Sequence, residues 1–87
     1  MQVDNLIRMA NQIGSFFEAM PDRPQALKDI ALHIRKFWDP RMRRAFLEHV
    51  DQTGGAALSE VLGETLRLHR DILDWRRQPA TARSASP

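Results

Sequence analysis

The sequence predicts an all-α fold, a small four-helix bundle with a short angled third helix and a disordered C-terminal tail. Three observations support this prediction. Apolar residues recur every three or four positions in four segments, no segment alternates as a strand would, and proline or glycine pairs separate the segments. A chain of 87 residues is sufficient for one domain. We place that domain at residues 1–77 and the polar, proline-containing tail at 78–87.

The first helix follows Asp4, which we expect to be its N-cap. Gly14 lies at the edge of its apolar stripe, where the missing side chain would allow another helix to approach closely. The stripe consists of Leu6, Met9, Ala10, Ile13, Phe16, Phe17 and Met20.

The second helix runs from Pro24 to Trp38, and Asp22 is its predicted N-cap. We expect Phe37 and Trp38 to be core anchors, because both continue the stripe of Leu27, Ile30, Ala31 and Ile34.

Asp39 and Pro40 end the second helix and begin the third, with Asp39 as N-cap. Arg41 and Arg44 are predicted on its outer face, and residues 51–55 form the following loop. The predicted inner face comprises Met42, Ala45, Phe46, Leu47 and Val50.

The last helix, at 57–76, has two overlapping apolar seams, and the second of them invites a partner. On this reading Leu68 belongs to a docking seam, and Trp75 is either exposed or buried by that partner.

Positive charge is concentrated at residues 35–44, which carry five basic residues and one acidic residue. Next to a helix N-terminus, such a cluster attracts phosphate, carboxylate or an acidic protein surface, although it is also compatible with an ordinary solvated surface. A carboxylate at Asp39 would compete for the same N–H groups. The candidate anion ligands are Arg35, Lys36, Arg41, Arg43 and Arg44.

Several function classes are disfavoured by what the chain lacks. With no cysteine, the chain by itself has no redox or sulfur-transfer chemistry, and no nucleophile–base pair or paired carboxylates indicate an enzyme. The three histidines do not have metal-ligand spacing, and His33 either lines a groove edge or hydrogen-bonds a loop. No signal peptide or membrane-spanning segment is recognisable, so we expect a cytoplasmic protein with no membrane contact.

Two stretches, Met9-Ala-Asn-Gln-Ile-Gly-Ser-Phe-Phe17 and His33-Ile-Arg-Lys-Phe-Trp-Asp-Pro-Arg-Met-Arg43, resemble the delta subunit family of NAD-dependent formate dehydrogenases. The resemblance covers about residues 6–70. It implies a non-catalytic accessory subunit of a molybdenum- or tungsten-dependent enzyme, whose larger subunits hold the bis-molybdopterin guanine dinucleotide, iron–sulfur clusters and flavin. It also implies that the chain assists insertion or retention of the pterin cofactor, or stabilises the complex.

On this hypothesis no cofactor is permanently bound, and the five basic residues contact the dinucleotide or a guanine nucleotide transiently. The implied partner is the catalytic alpha subunit. The residues that we infer to contact it are His33, Trp38, Arg41, Arg44, Leu68 and Trp75.

Two other classes of protein remain as alternatives. A nucleic-acid-binding module is one, with a recognition helix starting at Arg41, although the flanking segments are acidic overall. A self-associating helical bundle, for example a homodimer, is the other.

Overall fold

The computed structural model describes residues 2–74, which form four α-helices and no strand. They are α1 (Val3–Glu18), α2 (Arg23–Phe37), α3 (Pro40–Thr53) and α4 (Glu60–Leu73). The all-α bundle is therefore confirmed. Helix α3 has 14 residues, as many as α4, so the expectation of a short third helix was wrong. Trp75 and the tail at 78–87 lie outside the described residues.

The helix starts follow from local side-chain chemistry in two of three predicted cases. Asp22 accepts a hydrogen bond from the backbone N–H of Gln25 at 3.2 Å, and Asp39 accepts one from Met42 at 3.0 Å. Both satisfy N–H groups that a helix start leaves unpaired. The prediction for Asp4 was wrong, because α1 begins at Val3 and Asp4 already lies in its first turn.

The core lies where α2 packs along α4, with α1 contacting the other three helices. Arg23 Nε donates to Glu64 Oε1 at 2.9 Å and so links the start of α2 to α4. Trp38 is buried against Phe46, with ring centroids 5.5 Å apart in an edge-to-face arrangement. The side chains with the least exposure are Phe46, Ile30, Ile34, Leu62, Leu73, Val61 and Thr65.

Helix α1 buries one side of the predicted stripe, including Leu6 and Ala10, and leaves the other side exposed. Its most buried residues include Ile7, Ala10 and Gly14, whereas Met9 and Phe16 are 37% and 76% exposed. A Cβ at Gly14 would overlap the Leu62 side chain. Because Gly14 permits this close approach, the side of α1 that carries Ala10 and Gly14 faces the core. The edge of the stripe that carries Met9 and Phe16 remains uncovered.

Helix α4 shows why a second apolar seam does not require a partner. Val61 and Thr65, which begin the second seam, are buried, and Ile72 packs at the edge of the core. Val61 and Thr65 therefore belong to the core, and the expectation of a surplus seam was wrong for these two positions. Leu68 is the exception, with 59% of its surface exposed.

The connection between α3 and α4 is held to α1 by Asn11. Helix α3 continues to Thr53, past the predicted loop start, and ends at Gly54 and Gly55, which adopt φ of 71° and 77°. The Asn11 amide donates to the Ala57 carbonyl at 3.1 Å, and its oxygen accepts from the Ser59 N–H at 2.9 Å.

We expect Asn11→Ala to lower the free energy of unfolding by about 1–2 kcal/mol, because two hydrogen bonds are lost and one N–H at the start of α4 is left unpaired. Urea denaturation followed by circular dichroism measures this. Asn11→Asp keeps the acceptor oxygen and should recover part of the loss. Equal stability of Asn11→Ala and the wild type would show that the two Asn11 hydrogen bonds do not stabilise the connection between α3 and α4.

Candidate docking site

An apolar cleft opens between α1, the C-terminal half of α2 and the start of α3. Its volume is about 610 Å³. Among residues 2–74, no Asp, Glu, Lys or Arg side chain lines it. The lining residues are Met9, Gln12, Ile13, Phe16, Phe17, His33, Phe37, Trp38 and Met42.

Aromatic rings form a continuous row along the cleft. Phe16 and Phe17 lie 5.2 Å apart between centroids, Phe17 and His33 5.9 Å, and His33 and Phe37 4.6 Å. The two ends of the row are the exposed ones, since Phe16 is 76% and Phe37 64% solvent-accessible. Large exposed apolar side chains clustered in one concave place are typical of a binding surface.

The cleft is formed from the edges of helical stripes. Met9, Ile13 and Phe16 recur at helical spacing along one edge of α1, and His33 precedes Phe37 by one turn on α2. The sequence had placed Met9 and Phe16 on the apolar stripe of α1 and had made Phe37 a core anchor. The prediction for Phe37 was wrong, since it is 64% exposed. The signal for an edge position was present at Phe37, whose neighbour Trp38 already continues the buried stripe.

One of the predicted basic residues lies against the cleft, and a second adjoins it in sequence. The Lys36 ammonium nitrogen is 5.6 Å from the centre of the Phe37 ring, within range of a cation–π contact. Arg41 is exposed and immediately precedes Met42, which lines the cleft. The apolar surface is therefore bordered by positive charge.

Arg43 has a different position from the one expected of an anion ligand. Only 7% of it is exposed, and its Nη1 donates to the Arg35 carbonyl at 3.2 Å, near the end of α2. Burial lowers the pKa of the Arg43 guanidinium, and the positive charge of Arg35 lowers it further, partly opposed by Asp39. Its Nε has no hydrogen-bond partner among the described residues. Arg43 joins α2 to α3 and does not face an external ligand.

The other two predicted anion ligands, Arg35 and Arg44, already have partners within the chain. Arg35 Nη1 donates to the Ile72 carbonyl at 3.2 Å, which ties α2 to the end of α4. Arg44 is half-buried and is not without a partner in the chain. Asp39 occupies a backbone N–H at the start of α3 that an external anion would need. An anion at the start of α3 would have to compete with Asp39, and a phosphate site at the basic residues stays a prediction.

The predicted partner-binding residues fall on more than one surface. His33 and Trp38 line the cleft, although Trp38 is only 5% exposed and presents little of its ring. Leu68 lies at a separate hollow with Pro24 and Lys28. Trp75 lies outside the described residues.

Comparison with protein families decides the relationship. The family model described as NADH-dependent formate dehydrogenase delta subunit FdsD matches residues 5–66. The chain belongs to this delta subunit family. No curated protein and no solved structure gave a match.

The matched region of this delta subunit family member contains every residue that lines the cleft. Family membership implies association with a formate dehydrogenase complex. Within residues 2–74, no helix has the length and apolar character needed to cross a bilayer. No group of three or more His, Asp or Glu residues in that range could hold a metal ion.

Proposed function

We propose that this chain is a non-catalytic accessory subunit of a cytoplasmic NAD-dependent formate dehydrogenase. It docks on the catalytic alpha subunit through the aromatic cleft and stabilises the assembled enzyme. The observation that carries this proposal is the exposure of Phe16 and Phe37 at the two ends of one row of aromatic rings in a family of enzyme subunits.

The physical basis is the free energy of covering apolar surface. Buried aromatic side chains dominate the energetics of protein interfaces, and each can bury about 150–250 Å². In the isolated chain, Phe16 and Phe37 leave most of their surface in water. A partner that fills the cleft removes this surface from water without requiring α1 or α2 to unfold.

We propose further that docking assists insertion or retention of the bis-molybdopterin guanine dinucleotide, which supplies the redox chemistry of formate oxidation in the alpha subunit. This chain would act on the protein that holds the cofactor. Direct contact with the phosphates is poorly supported, because Arg43 is directed inward and Arg35 is bound to a backbone carbonyl. Lys36 and Arg41 instead remain exposed at the surface, Lys36 against the Phe37 ring and Arg41 next to Met42 in sequence.

The test is affinity capture of the alpha subunit by a tagged Phe16→Ser/Phe37→Ser variant expressed with the other subunits. We expect recovery of the alpha subunit to fall by about tenfold or more, since truncating a central aromatic hot spot costs about 2 kcal/mol or more and about 1.4 kcal/mol is a tenfold change in affinity. Leu32→Ser is the matched control, because Leu32 is 43% exposed on α2 but does not line the cleft.

Equal recovery with both variants would overturn docking through the cleft. The metal content of the captured alpha subunit separates the two roles. A fall in molybdenum or tungsten per alpha subunit supports cofactor insertion or retention, whereas an unchanged content with a dissociated complex supports stabilisation alone.

A further inference from the structure

We infer that the segment of the large subunit that occupies the cleft is an amphipathic helix with acidic residues beside its apolar face. This inference rests on the proposed docking function and adds the chemistry of the partner. It follows from the backbone around the cleft and from the positive charges beside it. Those charges do not suit two other occupants, residues 75–87 of this chain and a second copy of the chain.

The backbone around the cleft favours side chains as the contacting groups. The elements that form it are α1, α2 and α3, whose peptide groups are paired within each helix except at the helix ends. The described residues offer no strand edge here to which an extended peptide could add. An apolar groove between helices is instead suited to a helix that inserts side chains at three- and four-residue spacing.

The charge beside the cleft is positive. Lys36 lies against the Phe37 ring, and Arg41 is exposed next to Met42. The nearby carboxylates are already engaged, since Asp39 caps α3 and Glu18 lies 4.0 Å from Arg23. Carboxylates on the occupant would therefore find two cations at the border of an apolar surface.

The C-terminal segment of this chain does not match that charge. Residues 75–87 contain three arginines and no Asp or Glu. The net charge of this segment is therefore positive, like the charge beside the cleft. A second copy of the chain has the same difficulty. Two-fold pairing of the cleft would place the positive charges beside both clefts in one interface, and like charges at an interface disfavour association. An acidic helix of a different subunit fits both the apolar and the charged features.

The first experiment measures binding of the full chain to purified formate dehydrogenase lacking it, by biolayer interferometry at about 50 and about 300 mM salt. For Lys36→Glu/Arg41→Glu we expect the association rate at low salt to fall by about tenfold and its salt dependence to be lost. Lys28→Glu/Arg67→Glu makes the same change of net charge on exposed positions that do not line the cleft and should bind as the wild type does.

Equal association rates at low salt for the two charge-reversal variants would overturn the inference that the partner helix is acidic. The docking function has a separate readout, because Phe16→Ser/Phe37→Ser should lose binding at both salt concentrations. If Phe16→Ser/Phe37→Ser loses binding and Lys36→Glu/Arg41→Glu binds as the wild type does, docking through the cleft is supported and the inference of an acidic partner helix is wrong. If neither variant is affected, the proposed function fails as well.

The second experiment identifies the occupant directly with a photo-crosslinking amino acid at position 37 in the assembled complex. We expect the cross-linked peptide to come from the large subunit, with apolar residues at helical spacing and neighbouring Asp or Glu. A cross-link to residues 75–87, to a second copy of this chain, or to a neutral or basic segment would contradict the inference.

Discussion

Gly14→Ala is expected to destabilise the protein by about 1–3 kcal/mol, the range typical of an added methyl group in a packed core. A Cβ at Gly14 would lie 2.8 Å from Val61 Cγ1 and would overlap Leu62 as well. Val61 and Leu62 are both buried, so neither can move without disturbing other core side chains. The midpoint of urea denaturation measures the change.

Gly63→Ala is the matched control for this prediction. Gly63 lies within α4, and apart from its chain neighbours and the backbone of its own helix, no described atom lies within 4 Å of the position a Cβ would take. The same substitution should therefore stabilise the protein by about 0.5–1 kcal/mol, because alanine loses less backbone entropy in a helix than glycine does. Equal shifts in the same direction at both positions would show that α1 and α4 do not meet closely at Gly14.

Phe46→Ala is expected to have the largest effect on stability, a loss of about 3–5 kcal/mol. Phe46 has no exposed surface and packs edge-to-face against Trp38. Removing its ring leaves a cavity behind a residue that lines the cleft. In a small domain with about 5–15 kcal/mol of total stability, this loss is a large fraction. Thermal and urea unfolding both measure it.

Phe16→Ala removes the same atoms at a position that is 76% exposed. We expect its unfolding free energy to change by about 0.5 kcal/mol or less, as is usual for surface positions. The two variants thus separate the two roles of phenylalanine in this chain, stabilising the fold at one site and forming a contact surface at the other. A large loss of stability in Phe16→Ala would mean that the cleft is closed in solution.

The resemblance stated from the two sequence stretches agrees with the family match over residues 5–66. The helix starts at Asp22 and Asp39 and the break at Pro40 were also predictable. Capping depends on the chemistry of a few consecutive residues, which is fully visible in the sequence. The burial of Trp38 and the close approach at Gly14 followed equally well from position within a stripe.

The sequence by itself thus determined the helices, the order in which they occur and the family. Only the tertiary structure decided which edge of each stripe was covered. Gly14 draws one side of α1 against α4, so Met9 and Phe16 face solvent. Arg43 likewise turns inward because the end of α2 presents a carbonyl to it. Helix formation depends on near neighbours along the chain, whereas the cleft depends on how three helices meet, and that geometry comes from contacts between residues far apart in sequence.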